Sequence, residues 1–300
     1  MSKYSSTHSH DDSSIELGHS CHLFEKFLVR YPGSQKESIN LILGEKIIKD
    51  SFFSNLLDKL NIYEKFDLKV YSLLNITESD SYIDEGVSYI IASGKELDSF
   101  KTIDQDSVCI SKKAISDRHN IGYQRHLGPI PIKSSVSLGE YKQSSDLADA
   151  LIRKSNTVFF NINAVRKQDS FCNTSDITGF DVYEACNLSR SAGLSAGLQL
   201  FCMNIGQEVL QGDKEDFVSL MFWYFLEGCM HKDIDSKPEN TTTYLVQSDI
   251  SENPIQFTKS KITKRWSFIH PVDNKTYPCT EQDYNDLIQG QIPDIILALS

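Results

Sequence analysis

The chain has 300 residues, of which 40% are apolar and 24% charged, an ordinary globular composition with material for a large buried core. A formal charge of -11, with Lys and Arg scattered along the chain, excludes nucleic acid and anionic membrane as main partners, because both demand a concentrated basic surface. No apolar run reaches the roughly eighteen residues that span a bilayer, and the polar N-terminus lacks the apolar stretch of a signal peptide, so a cytoplasmic protein is expected. The seven cysteines are widely spaced with no Cys-x-x-Cys pair, which predicts reduced, mostly buried thiols.

In chain order, the segment from Met1 to about Ile15 is rich in Ser, His and Asp, and residues 1–20 are expected to form a flexible polar tail. His8, His10, Asp11, Asp12, His19, Cys21 and His22 make a composition rich in metal donors, but a metal site needs fixed geometry and this stretch predicts none. From residue 38 apolar runs alternate with amphipathic ones, the mark of a parallel sheet wrapped by helices. Ser38–Gly44 reads as a buried strand and Lys46–Leu60 as a helix. Phe66–Leu74 and Val87–Ala92 read as further strands.

A loop-rich middle follows. There Arg118, His119, Arg125 and His126 fit either an anion-binding loop or ordinary loop chemistry, and Asp80, Asp84 and Glu85, just before it, fit a solvated acidic surface better than a stray-cation site. Leu147–Lys154 is then expected to be a helix, Thr157–Asn163 a strong strand, Val182–Ala192 a helix and Gln199–Asn204 a strand. Gly193 and Gly197 flank a helix end, where a C-cap role is expected. Lys214–Met230 is a long helix with nine large apolar residues in the ten positions from Phe217 to Leu226, which predicts either a core helix or an oligomer contact. Thr241–Ser248, Ile255–Lys259 and Arg265–Ile269 alternate like antiparallel strands, and Glu281–Gln289 reads as a final helix.

The stretch Val158–Ser195, VFFNINAVRKQDSFCNTSDITGFDVYEACNLSRSAGLS, resembles a segment of the ureohydrolases, the arginase, agmatinase and formimidoylglutamase family. In that family a strand delivers Asp-x-Asp, then Ala-Val-Arg and an Asp, then a Gly-containing turn and a helix beginning Glu-Ala-Cys. Met221–Gly228 (MFWYFLEG) is similar to a helix of the formimidoylglutamase-like branch of Bacteroidetes type, and Tyr277-Pro278-Cys279, Asp283-Tyr284 and Ile292-Pro293-Asp294 are similar to its C-terminal extension. The detailed likeness covers about residues 157–300; before that only the order of elements agrees.

The resemblance implies a three-layer α/β/α domain with a mainly parallel sheet over 21–240 and a β-rich extension over 241–300 packed on it. It also implies hydrolysis of a linear amidine by a water bridging two manganese ions. Two such ions carry four positive charges, which several carboxylates and histidines must offset. Asn161 and Asn163 stand where the family has Asp-x-Asp, residues that a strand would turn to one side. Lys46, in Gly44-Glu45-Lys46, stands where it has the histidine of Gly-Gly-His, and Gly18-His19-Ser20 is a decoy for that motif. Glu78 and Asp169 are the acids retained among ligand positions. Glu184 falls where the family's glutamate grips the substrate, with a helix N-terminal carboxylate as the alternative.

No phosphate loop, dinucleotide fingerprint or nucleophile elbow occurs. The expectation is therefore a non-catalytic ureohydrolase-fold protein without cofactor or metal, which binds an unknown protein or small-molecule partner and leaves a homo-oligomer open. The alternative is a working metal-dependent hydrolase of carbon–nitrogen bonds with its ligands displaced.

Overall fold

The computed structural model describes residues 37–44, 47, 66–72, 86–93, 107–111, 134–172, 175, 177–206, 212–235, 237–249 and 251–297. Near-continuous apolar runs pair into a seven-stranded sheet: β1 (Glu37–Leu43), β2 (Phe66–Ser72), β3 (Val87–Ala92), β4 (Ser107–Ser111), β5 (Ser134–Ser137), β6 (Thr157–Asn161) and β7 (Leu200–Asn204). The order is β2-β1-β3-β7-β6-β4-β5, and every pairing is parallel. Such strands read as uninterrupted apolar runs because they are covered on both sides. Leu41, Tyr89, Phe201, Val158 and Val108 lie side by side on one face, inside one continuous apolar layer. Ile42, Ile90, Cys202, Phe159 and Cys109 occupy the opposite face and are at most 2% exposed. This two-sided burial is that of a three-layer α/β domain.

The helices are α1 (Leu138–Gln143), α2 (Ser145–Lys154), α3 (Lys167–Ser170), α4 (Val182–Gly193) and α5 (Asp213–Asp235); α2, α4 and α5 fall where the apolar patterning placed helices, while the short α1 and α3 were not expected. α1 and α4 open with capping boxes, Ser137 with Glu140 and Asp181 with Glu184, and α2 begins on the Ser144 hydroxyl. α5 lays Phe222 and Phe225 against Tyr89, at ring-centroid distances of 4.7 and 4.9 Å, while Tyr89 stacks on Phe201 at 4.6 Å. Phe217, Val218, Met221, Leu226 and Cys229 are buried with them, so this helix lies in the core.

Gly193 does not act as a C-cap. It is the last residue of α4, and a Cβ there would stand 2.1 Å from the Phe225 carbonyl oxygen; one on Gly228 would stand 2.2 Å from that of Arg190. The two glycines face each other where α4 crosses α5, and a side chain on either would push the backbones apart.

The C-terminal part forms an antiparallel sheet in the order β11-β10-β9-β8, from β8 (Thr241–Ser248), β9 (Ser251–Ser260), β10 (Trp266–Ile269) and β11 (Thr276–Cys279). α6 (Glu281–Ile288) closes its apolar side, with Tyr284 stacked on Trp266 at 4.7 Å, and α7 (Asp294–Leu297) follows.

The hairpin between β9 and β10 meets the parallel-sheet domain on two acids. The Ser260 hydroxyl accepts from the Ile262 and Thr263 amides at 3.0 Å and donates to Asp235 at the end of α5, where Thr263 Oγ1 also donates, at 2.6 Å. Arg265 Nε donates to Asp149 on α2 at 2.8 Å, Arg153 Nε reaches the same carboxylate at 2.7 Å, and the Ser191 hydroxyl of α4 completes the group.

Six cysteines are described, all buried as free thiols, with burial pushing Cys109 and Cys186 up to about 12. The tail, the expected helix after Lys46, Glu78, the acids near Asp84 and the Arg118–His126 cluster lie outside the described residues. Among the described residues no helix is long and apolar enough to cross a membrane.

Candidate functional site

The carboxyl ends of parallel strands, where loops gather, are the usual place for a site in an open α/β sheet. β6 ends here at Asn161, earlier than the strand expected through Asn163. The Asn161 Oδ1 accepts the Asn163 amide at 3.0 Å, which turns Ile162–Ala164 into a 3-10 turn. An asparagine side chain competes with the sheet ladder for backbone donors, so the strand stops where its own side chain takes the next free amide but one. Asn161 and Asn163 are therefore not two side chains on one face of a strand, as the spacing predicted. The turn corrects that reading.

Asn161 pairs in register with Asn204 at the end of β7, whose Oδ1 accepts the Gly206 amide at 2.8 Å, with Gly206 at φ +67°. Two neighbouring strands thus end in the same Asx turn. Sequence reasoning missed Asn204, although Asn-x-Gly after an apolar strand is a turn signal.

Beyond the turn, the chain is pinned by the Arg166 amide donating to the Phe180 carbonyl at 3.0 Å and the Phe180 amide to that of Ala164 at 2.9 Å. Gly179 allows this approach, since a Cβ there would stand 2.4 Å from the Arg166 nitrogen. Asp169 forms an ion pair with Arg166. Glu184 is buried; one carboxylate oxygen accepts the Asp181 amide at 2.9 Å and the other meets the Lys142 ammonium group of α1. The structure brings Glu184 to Lys142 and Asp169 to Arg166, and places Asn161 beside Asn204. Lys46 and Glu78 lie outside the described residues.

The amide pair does not fit a two-manganese centre. Neither amide offers charge against four positive charges, and the Asn161 carbonyl oxygen is committed to its own backbone turn. Asp169 and Glu184 are each occupied by a cationic side chain.

No family model matches the chain, and no curated protein matches it. Its structure is similar to solved structures of a manganese-bound formiminoglutamase from Trypanosoma cruzi (11% identity, TM-score 0.45, covering 68% of this chain and 96% of that one). It is also similar to an agmatine ureohydrolase from Thermoplasma volcanium (8%, 0.44, 67% and 92%) and an arginase from Bacillus cereus (8%, 0.42, 63% and 98%). At such identities and scores the chemistry has to be read from this chain's own side chains.

Proposed function

We propose that this chain keeps a ureohydrolase-like framework without the metal-dependent hydrolysis, and serves in the cytoplasm to bind a partner protein or a small ligand. The observation that carries the reading is Asn161: at the strand end where the resemblance calls for a charged metal ligand stands an amide whose oxygen closes a backbone turn. Asn163 and Lys46 support it, because an amide adds no charge and an ammonium group repels a cation. Glu184 is the acid through which the strand ends would take a ligand. A cationic ligand would have to displace Lys142 from it.

The test is elemental analysis of the purified protein together with assays on arginine, agmatine and formimidoylglutamate. Far less than one manganese per chain and no turnover are expected. Restoring the carboxylates with Asn161→Asp and Asn163→Asp should not create activity, since Lys46 remains. Close to two metals per chain in the wild type, or turnover of any of the three compounds, would overturn the reading.

A further inference from the structure

A concave site lies away from the strand ends, along α2, where the β9–β10 hairpin meets the parallel-sheet domain. It is a cavity of about 370 Å³, inside the range that small-molecule sites occupy. Five cationic side chains line it, Arg153, Arg190, Lys259, Lys264 and Arg265. The acids in the lining are Asp146, Asp149 and Glu281. Arg190 is paired with Glu227 just outside the lining, at 3.4 Å, which leaves four other cations against three acids, a positive excess in a chain whose formal charge is -11.

The acids orient the cations without exhausting them. Asp149 takes the Nε of both Arg153 and Arg265, Arg153 Nη2 donates to the Trp266 carbonyl at 3.3 Å and Arg265 Nη2 reaches Ser191 at 3.3 Å. Each guanidinium keeps Nη1 without a protein partner among the described residues, although the side chains are only 11% and 18% exposed. Partly desolvated, fixed guanidinium edges are donors matched to carboxylate or phosphate.

Lys264 adds a further charge. Its amine donates to the Lys261 carbonyl at 2.7 Å and meets no acid among the described residues, and its backbone sits at φ +63°, a conformation that L side chains rarely adopt. Lys259 lies 4.8 Å over the Trp266 ring, which supplies a flat apolar wall, and pairs with the exposed Glu281 at 3.1 Å, a surface contact weak enough for an anion to displace.

We propose that this cavity binds a small oxyanion, a carboxylate or phosphate compound, held by the outer edges of Arg153 and Arg265 with the charge of Lys264 beside it. The site shares no residue with the strand ends at Asn161 and Asn204, and binding here does not depend on whether those ends hold metal.

Isothermal titration of the full chain with inorganic phosphate, at constant ionic strength set with sodium chloride, tests it. Saturable binding at one phosphate per chain is expected. Lys264→Asn, which removes the charge and suits the left-handed backbone, should weaken it at least threefold with no loss of melting temperature, and Lys259→Gln should weaken it independently. Lys275→Asn, which removes an equal charge from the β10–β11 turn outside the cavity, should leave it unchanged. A parallel titration with glutarate separates the two sources: binding of both anions shows a general oxyanion site, and binding of one alone assigns the carboxylate or the phosphate. No saturable heat with either anion, or equal weakening by Lys264→Asn and Lys275→Asn, would overturn the proposal.

Discussion

Asp149 is a carboxylate in a place that by itself would not tolerate charge. Burial would raise its pKa, but Arg153 and Arg265, with the Ser191 hydroxyl, outweigh burial and hold it below the usual carboxylate range. A buried charge with two partners contributes little against a well-packed apolar substitute, yet removing the carboxylate leaves two guanidinium groups without their shared acceptor. Asp149→Ala is therefore expected to destabilise the protein by roughly 3–5 kcal/mol, read from urea unfolding at pH 7. The dependence on pH follows from the direction of the shift. A carboxyl lowered by folding contributes its full stabilisation above the unfolded pKa, about 3.9, and loses it as pH falls through the lower folded value. The stability gap between wild type and Asp149→Asn should stay constant from pH 8 to about 5 and narrow below about 4. A gap that closed instead between pH 8 and 6 would mean that a different group carries the effect.

At the scale of elements, the α4–α5 crossing rests on two residues without side chains. A methyl on Gly193 would overlap the Phe225 carbonyl and one on Gly228 that of Arg190, and backbone cannot yield as a flexible side-chain tip can. Gly193→Ala and Gly228→Ala are each expected to lower stability by roughly 1–3 kcal/mol through overpacking. Gly197→Ala, where a Cβ meets nothing within 4 Å, should be near neutral. Unfolding curves for the three variants decide it.

The same crossing shows what a sequence displays and what it hides. The parallel strands around Leu41, Tyr89, Phe160 and Phe201 were legible because burial on both faces leaves uninterrupted apolar runs. β4 and β5 were not, since Ser107–Ser111 and Ser134–Ser137 are short and begin and end in serine, the composition of a loop. β11, at Thr276–Cys279, was hidden by a proline that suits a sheet edge. At the candidate site, residue type was legible and geometry was not. Asn161 and Asn163 could be seen to lack charge, but that Asn161 would spend its amide on ending the strand depends on the competition between an Asx turn and the ladder. The Asp149 network joins residues more than a hundred positions apart, and no local pattern announces it.

Across the whole molecule, the β9–β10 hairpin is fastened to two different helices, through Asp149 on α2 and through Asp235 at the end of α5. The four-stranded sheet has its own apolar cluster, and two clusters with separate cores often open separately. Here the fastening lies inside the turn that sets the register of the small sheet. Loss of the hairpin thus exposes charged groups on both helices, and loss of either helix end frees the hairpin. The two sheets should therefore melt as a single cooperative unit, with calorimetric and van't Hoff enthalpies in agreement. Ser260→Ala combined with Thr263→Val removes the Asp235 side of the fastening and should split the transition, with Trp266 fluorescence leading the far-ultraviolet circular dichroism. Coincident transitions in that double variant would assign the coupling to Asp149 alone. A hairpin that is at once the turn of one sheet and the bolt of another makes the C-terminal 60 residues dependent on the domain for their hydrogen-exchange protection, although they build a complete sheet of their own.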